Sequence, residues 1–198
     1  FPVRLRVLGS EKIPPGGNGL VRLHLAADLP LVRGDRFVLR ESGRDETVGG
    51  GEVLDVAPVL PASKASPDRD IDRVIAEHGW IRADDLEALT GEQRPATLGA
   101  WVVAPAALAA MRDDVMARVM AAGELGLDVA ALDERARAAL GTLDDVAVEA
   151  GRARRAEARD PLADHPFVAA LLDGGAAPPE PGTIDKMQLR ELVRRKLV

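Results

Sequence analysis

From Phe1 to Val56 apolar residues recur at every second position. Val3, Leu5 and Val7 alternate with Arg4 and Arg6; Val21, Leu23 and Leu25 alternate with Arg22 and His24; Phe37 and Leu39 alternate with Arg36 and Arg40. A period of two places the apolar set on one face of a sheet and the charges on the other. Turn chemistry separates the runs: Pro14-Pro15-Gly16-Gly17-Asn18-Gly19, Arg33-Gly34-Asp35 and Ser42-Gly43-Arg44-Asp45. The pattern predicts four strands, at about 2–8, 20–26, 36–41 and 52–56, and with them an antiparallel all-β barrel or sandwich. Four strands are few for a closed barrel, so a further strand is expected before Phe1.

Residues 57–67 hold Pro58, Pro61 and Pro67 among small residues and read as a linker. Beyond it the period becomes helical. Ile71, Val74, Ile75 and His78 fall at i, i+3, i+4 and i+7, with Ser66 as expected N-cap, Pro67 at the first helical position and Gly79 as the stop. Further elements are expected as follows: a short helix at 83–90 closed by Gly91, a strand at Trp101–Val103, and a helix from Pro105 to about Ala122. Residues 129–140 should be helical with a break near Asp133, and 146–153 a hairpin turning at Gly151. Helices are expected at 166–173 and 184–195, separated by a Pro-rich loop at 176–182, with Leu197-Val198 opening a strand. Helix, short helix, helix, hairpin is the element order of a winged helix. The chain thus predicts tandem α+β winged-helix domains: one at 67–104, a second at 105–160 and the start of a third at 161–198.

Composition narrows the chemistry. Without Cys there is no disulfide, thiolate metal site or cysteine nucleophile. No apolar run is long enough for a membrane helix. There is no initiator Met, and a fragment or processed chain is expected. No G-x-x-x-x-G-K-[ST] motif is present, and Gly49-Gly50-Gly51 precedes a strand instead of a helix, so a close-approach backbone segment is expected there. His24, His78 and His165 lack a second ligand at metal spacing, and His165 before Pro166 is placed to cap a helix. The pairs Asp84-Asp85, Asp113-Asp114 and Asp144-Asp145 suit helix starts, helix surfaces or loops better than carboxylate catalysis. No catalytic residues and no metal site are expected.

The 26 Lys and Arg against 32 Asp and Glu make the chain acidic, but unevenly. Residues 1–56 are neutral, 57–185 carry a net charge of −10, and 186–198 carry +4. Lys186, Arg190 and Arg194 repeat at i, i+4, i+8 on one helical stripe; with Arg195 they are candidate RNA-phosphate contacts, against the alternative of a solvated face favoured by the helix dipole.

The string from Leu29 to Val56 (LPLVRGDRFVLRESGRDETVGGGEVLDV) carries a family resemblance. Gly34-Asp35-Arg36-Phe37 and Thr47-Val48-Gly49-Gly50-Gly51 resemble the end of the third domain of EF-Tu-class translational GTPases. With the winged-helix pattern that follows, the chain resembles the selenocysteine-specific elongation factor family, SelB. The resemblance implies an EF-Tu domain III-like β-barrel at 1–58, a linker at 59–66, and winged helices forming an arm. It implies selenocysteinyl-tRNA, a selenocysteine-insertion mRNA hairpin and the ribosome as partners, a cytoplasmic location and no membrane. GTP and Mg would belong to a G domain before Phe1, with no cofactor in this chain and no enzymatic site of its own. Carried over residue by residue, Arg44, Thr47, Gly49 and Gly51 are the candidate tRNA contacts. Asp45-Glu46 is an insertion relative to the shorter EF-Tu form, and Lys196 stands where the family's helix-stop glycine is expected. The rival readings are a winged-helix DNA-binding transcription regulator and a structural spacer without ligand.

Overall fold

The structure is a computed structural model and describes residues 1–158, 160–174, 180 and 184–198. It forms two compact units, Phe1–Leu108 and Ala109–Val198.

The first unit opens with β1 (Val3–Val7) paired antiparallel to β2 (Val21–Leu25), and β3 (Arg36–Arg40) paired antiparallel to β4 (Thr47–Glu52). Alternation places the first three strands where the sequence predicts them. The fourth lies earlier than the expected 52–56. The apolar run Val53, Leu54 and Val56 drew the expectation forward, but the backbone that pairs with β3 is the glycine segment. Val53 contributes only a flanking exchange, its N–H donating to Asp35 and its carbonyl accepting from Gly34. Among the described residues the hairpins are separate two-stranded sheets, not a closed barrel. Apolar residues of these strands (Leu23, Phe37) and of the segments beside them (Leu8, Leu54, Leu60) line a cavity of about 210 Å³.

Next come α1 (Ile71–His78), β5 (Trp80–Arg82), α2 (Ala83–Thr90) and β6 (Trp101–Val103), with β5 antiparallel to β6. Ile71, Val74, Ile81, Leu86 and Val102 form the core. Gly79 and Gly91 end the helices at φ 71° and 72°, as their positions predict. The N-cap differs: Asp70, not Ser66, caps α1 and accepts from the Asp72 N–H. Asp68 is also committed, accepting from the Arg73 guanidinium, so the acidic turn 68–70 displaces the Ser-Pro signal.

The segment 57–67 has no helix or strand, yet arginines tie the chain on either side of it. Arg22 donates to the Leu60 carbonyl at 2.8 Å; Arg33 donates to Leu54 and Arg69 carbonyls at 3.1 Å each. Arg69 pairs with Glu52. Arg73 meets Glu77 at 2.7 Å, Asp68 at 2.8 Å and Asp55 at 3.8 Å.

The second unit follows α3 (Pro105–Ala121) with β7 (Leu127–Asp128), a 3₁₀ turn at Val129–Ala131, α4 (Glu134–Leu140), and the hairpin β8 (Val146–Glu149) and β9 (Arg152–Arg155). The helical break is at Leu132-Asp133, where Asp133 caps α4 by accepting from Ala136. The sheet order is β7-β9-β8. Ala150 and Gly151 join the hairpin with φ 48° and 75°; two positive values are what a type I′ turn requires. Val115, Val119, Leu132, Ala136, Ala139, Leu140 and Ala153 are buried.

Finally, α5 (Pro166–Gly174) and α6 (Lys186–Arg194) enclose Leu162, Phe167, Ile184 and Leu192. The loop expected at 176–182 lies, apart from Glu180, outside the described residues, as does Gly175. Leu197-Val198 forms no strand. Lys196 nevertheless completes a Schellman stop: at φ 57° it donates to Val193, and Leu197 donates to Leu192, both at 3.0 Å. A side chain in the left-handed region is unfavourable. Lys196→Gly should therefore raise stability by about 0.5–1 kcal/mol, read as a higher urea midpoint.

Candidate functional site

The candidates in the first unit sit on the β3–β4 hairpin. Opposed residues share a face in an antiparallel pair. Phe37 opposes Gly51 and Leu39 opposes Gly49; Val38 opposes Gly50 and Arg40 opposes Thr47, with a register shift between Leu39 and Arg40 that leaves Val48 as the extra residue. Arg36, Val38 and Arg40 are exposed, while Phe37 and Leu39 are half-buried. Thr47 therefore lies on the outer face, and Gly49 and Gly51 on the face of Phe37 and Leu39. The four candidates do not converge on one point.

The glycines have different reasons to be glycine. A Cβ on Gly51 would stand 2.7 Å from Phe37 Cζ, and one on Gly50 would stand 2.7 Å from the Phe37 carbonyl oxygen. Their small size lets the strand close over β3, as the triple glycine predicts. A Cβ on Gly49 would meet nothing within 4 Å. Packing within the hairpin does not require that glycine.

Arg44 is exposed in the loop, 3.8 Å from Glu41. In the inserted pair, Asp45 adopts φ 60° and faces Arg40: its carboxylate is 3.1 Å from that guanidinium and its carbonyl accepts at 2.8 Å. The insertion's Asp charge is thereby set against Arg40.

In the second unit, α6 splits the predicted cation stripe. Lys186 and Arg190 are exposed and make no ion pair among the described residues. Arg194 turns onto Glu191, at 2.5 and 2.9 Å, and donates to the Ala150 carbonyl at 2.8 Å. Arg195 is 9% exposed and pairs with Asp160 at 2.5 Å and Glu191 at 3.0 Å. Two arginines of β9, which sequence reasoning missed, complete the cluster. Arg152 meets Glu191 at 2.9 Å and Arg154 meets Asp160 at 3.2 Å. Three of these guanidiniums meet Glu191 and two meet Asp160, and Arg152 also lies 3.9 Å from Asp128. A signal was available: Glu191 is the single acid of a basic helix and stands next to the core position Leu192.

The cluster shifts its own proton equilibria. Hydrogen bonds from Arg194, then from Arg152 and Arg195, hold the Glu191 carboxyl far below the usual range against the cost of burial. Burial opposes the charge on Asp160, but Arg195, the Leu162 N–H and Arg154 outweigh it and hold that carboxyl low. His165 accepts from the Phe167 N–H at 3.2 Å and so caps α5. Among the described residues no three His, Cys, Asp or Glu side chains are grouped to hold a metal, and no helix is long and apolar enough to cross a membrane.

No curated protein and no solved structure matches the chain. Residues 3–59, which hold both hairpins and the glycine segment, match the family model of the selenocysteine-specific elongation factor, beta-barrel domain, so this part of the chain is similar to that domain.

Proposed function

We propose that this chain is part of a translation elongation factor that delivers selenocysteinyl-tRNA to the ribosome at recoded UGA codons. The family match over residues 3–59 carries the reading. The β hairpins contact the tRNA, with Gly49, on the face of Phe37 and Leu39, and Arg44, in the adjoining loop, nearest the RNA backbone. The helical parts form the arm toward the selenocysteine-insertion mRNA hairpin. The order α3, β7, 3₁₀ turn, α4, β8–β9, with β9 central in the sheet, supports a winged helix there, and α1–β6 and α5–α6 supply the flanking units. In α6, Lys186 and Arg190 are the RNA-phosphate contacts, because Arg194 and Arg195 are engaged with Glu191 and Asp160. GTP and Mg act in a G domain of the parent protein. A location in the cytoplasm follows from ribosome delivery. Such an arm tethers the tRNA complex near one codon and raises its local concentration.

The glycine contrast tests the tRNA contact. Gly51→Ala should cost about 1–3 kcal/mol of stability by overpacking Phe37. Gly49→Val should change stability by under about 0.5 kcal/mol and weaken binding of selenocysteine tRNA roughly fivefold or more, since an approaching backbone would meet the added side chain. Urea midpoints and fluorescence anisotropy with labelled tRNA measure the two effects. Absence of salt-sensitive binding to both the tRNA and the insertion hairpin would overturn the proposal.

A further inference from the structure

The β1–β2 hairpin carries an unexplained electrostatic arrangement. Its register sets Arg4 opposite His24 and Arg6 opposite Arg22. The other face takes every apolar residue of both strands: Val3, Leu5, Val7, Val21, Leu23 and Leu25. Neither strand holds an acid. Like charges set directly opposite destabilise a sheet, whereas opposite charges there stabilise it. The neighbouring hairpin follows the favourable rule, with Arg36 opposite Glu52 and Arg40 beside Asp45. On β1–β2, Arg4, Arg6 and Arg22 make no ion pair among the described residues. Arg22 donates to the Leu60 carbonyl, which fixes the guanidinium without neutralising it. Arg4, Arg6 and His24 are exposed.

We propose that this face is a phosphate-binding strip that takes an RNA backbone. Residues two apart on a strand are about 7 Å apart, close to the separation of successive phosphates in a nucleic-acid strand. Cross-strand neighbours are about 5 Å apart, so Arg4, Arg6 and His24 are the three exposed donors of a two-by-two grid whose fourth member, Arg22, is half-buried and donates to the Leu60 carbonyl. Guanidinium forks suit phosphate oxygens bidentately. The face carries no apolar side chain to enter a bilayer, which separates it from an anionic-membrane surface. A bound RNA phosphate would offset the repulsion that the Arg6–Arg22 opposition brings to the free hairpin.

The strip rests on the RNA-binding reading above but uses a different hairpin, so the two fail separately. The 198-residue chain is titrated against labelled selenocysteine tRNA and a short RNA duplex over a salt series. Arg4→Gln with Arg6→Gln should weaken binding about tenfold or more and reduce the slope of log K against log[salt] by about two. Arg4→Lys with Arg6→Lys should keep most of the slope. Arg6→Gln alone should leave the melting temperature equal or higher, because it removes a like-charge pair. An unchanged slope in the double Gln variant overturns the strip, and if Gly49→Val still weakens binding, the tRNA reading stands without it. No RNA binding by the unaltered chain overturns both. Binding to phosphatidylserine vesicles in place of RNA, lost in the same double variant, overturns the RNA assignment.

Discussion

Replacing Glu191 with Gln is expected to lower the stability of the unit Ala109–Val198 by about 3–5 kcal/mol, the cost of removing one partner from a buried ion cluster. The carboxylate is 3% exposed and accepts from Arg152, Arg194 and Arg195. Gln keeps the shape but supplies one acceptor oxygen and turns an amide donor toward guanidiniums that are themselves donors only. Arg194 would then be left with the Ala150 carbonyl, Arg152 with Asp128 at 3.9 Å, and Arg154 and Arg195 with Asp160. Removing a cation should reverse part of the loss: Arg152→Met in the Glu191→Gln background should recover more than 1 kcal/mol relative to additivity, the coupling expected of contacting residues. Urea unfolding followed by far-UV circular dichroism measures each corner of the cycle. Acid supplies a second readout. Both carboxyls titrate below their ordinary values in the folded chain, Glu191 because Arg194, Arg152 and Arg195 bond its charged form and Asp160 because Arg195, the Leu162 N–H and Arg154 outweigh its burial. Such groups contribute stability that is complete above the ordinary carboxylate range, about pH 4, and is lost as pH falls through the depressed values. The unaltered chain should lose stability steeply below about pH 4, and Glu191→Gln less steeply, since its part is already gone.

The same cluster shows where sequence reading stops. Elements governed by neighbours within a few residues were readable. Alternation located β1 to β3, Gly79 and Gly91 ended α1 and α2, and Asp133 interrupted the helix before α4. Two of the misreadings involve choices settled elsewhere in the chain, and one, the N-cap of α1, is local. β4 is built of glycines because Phe37 needs the room, a constraint carried by another strand. Asp70 prevails over Ser66 as a cap because Asp68 and Arg73 fix the turn before it. The stripe Lys186, Arg190, Arg194 has correct helical spacing, but Arg194 is taken by Glu191 and by the Ala150 carbonyl 44 positions earlier. Periodicity shows which residues share a face. It does not show which of them are already paired.

Gly126→Ala is the second large effect, expected at about 2–4 kcal/mol from left-handed backbone strain plus overpacking. Gly126 has φ 76°, and a Cβ there would stand 2.5 Å from Arg154 Cγ and 2.7 Å from the Ala153 carbonyl oxygen. The second atom is backbone of β9, which β7 joins one residue later, so it cannot simply swing away. Gly123 is the internal comparison: at φ 63° it has the same conformational demand but open space around it. Gly123→Ala should cost only the left-handed penalty, about 1–2 kcal/mol, and the difference between the variants isolates the steric part. The two should also differ in their coupling to Glu191. Displacing Arg154 Cγ moves a guanidinium whose Nε donates to the Glu124 carbonyl at 3.1 Å and whose Nη2 is 3.2 Å from Asp160, the carboxylate shared with Arg195. Gly126→Ala therefore damages the network that Glu191→Gln also damages, and the double variant should lose less than the sum of the two. Gly123→Ala touches none of these groups and should combine additively with Glu191→Gln, within about 0.5 kcal/mol.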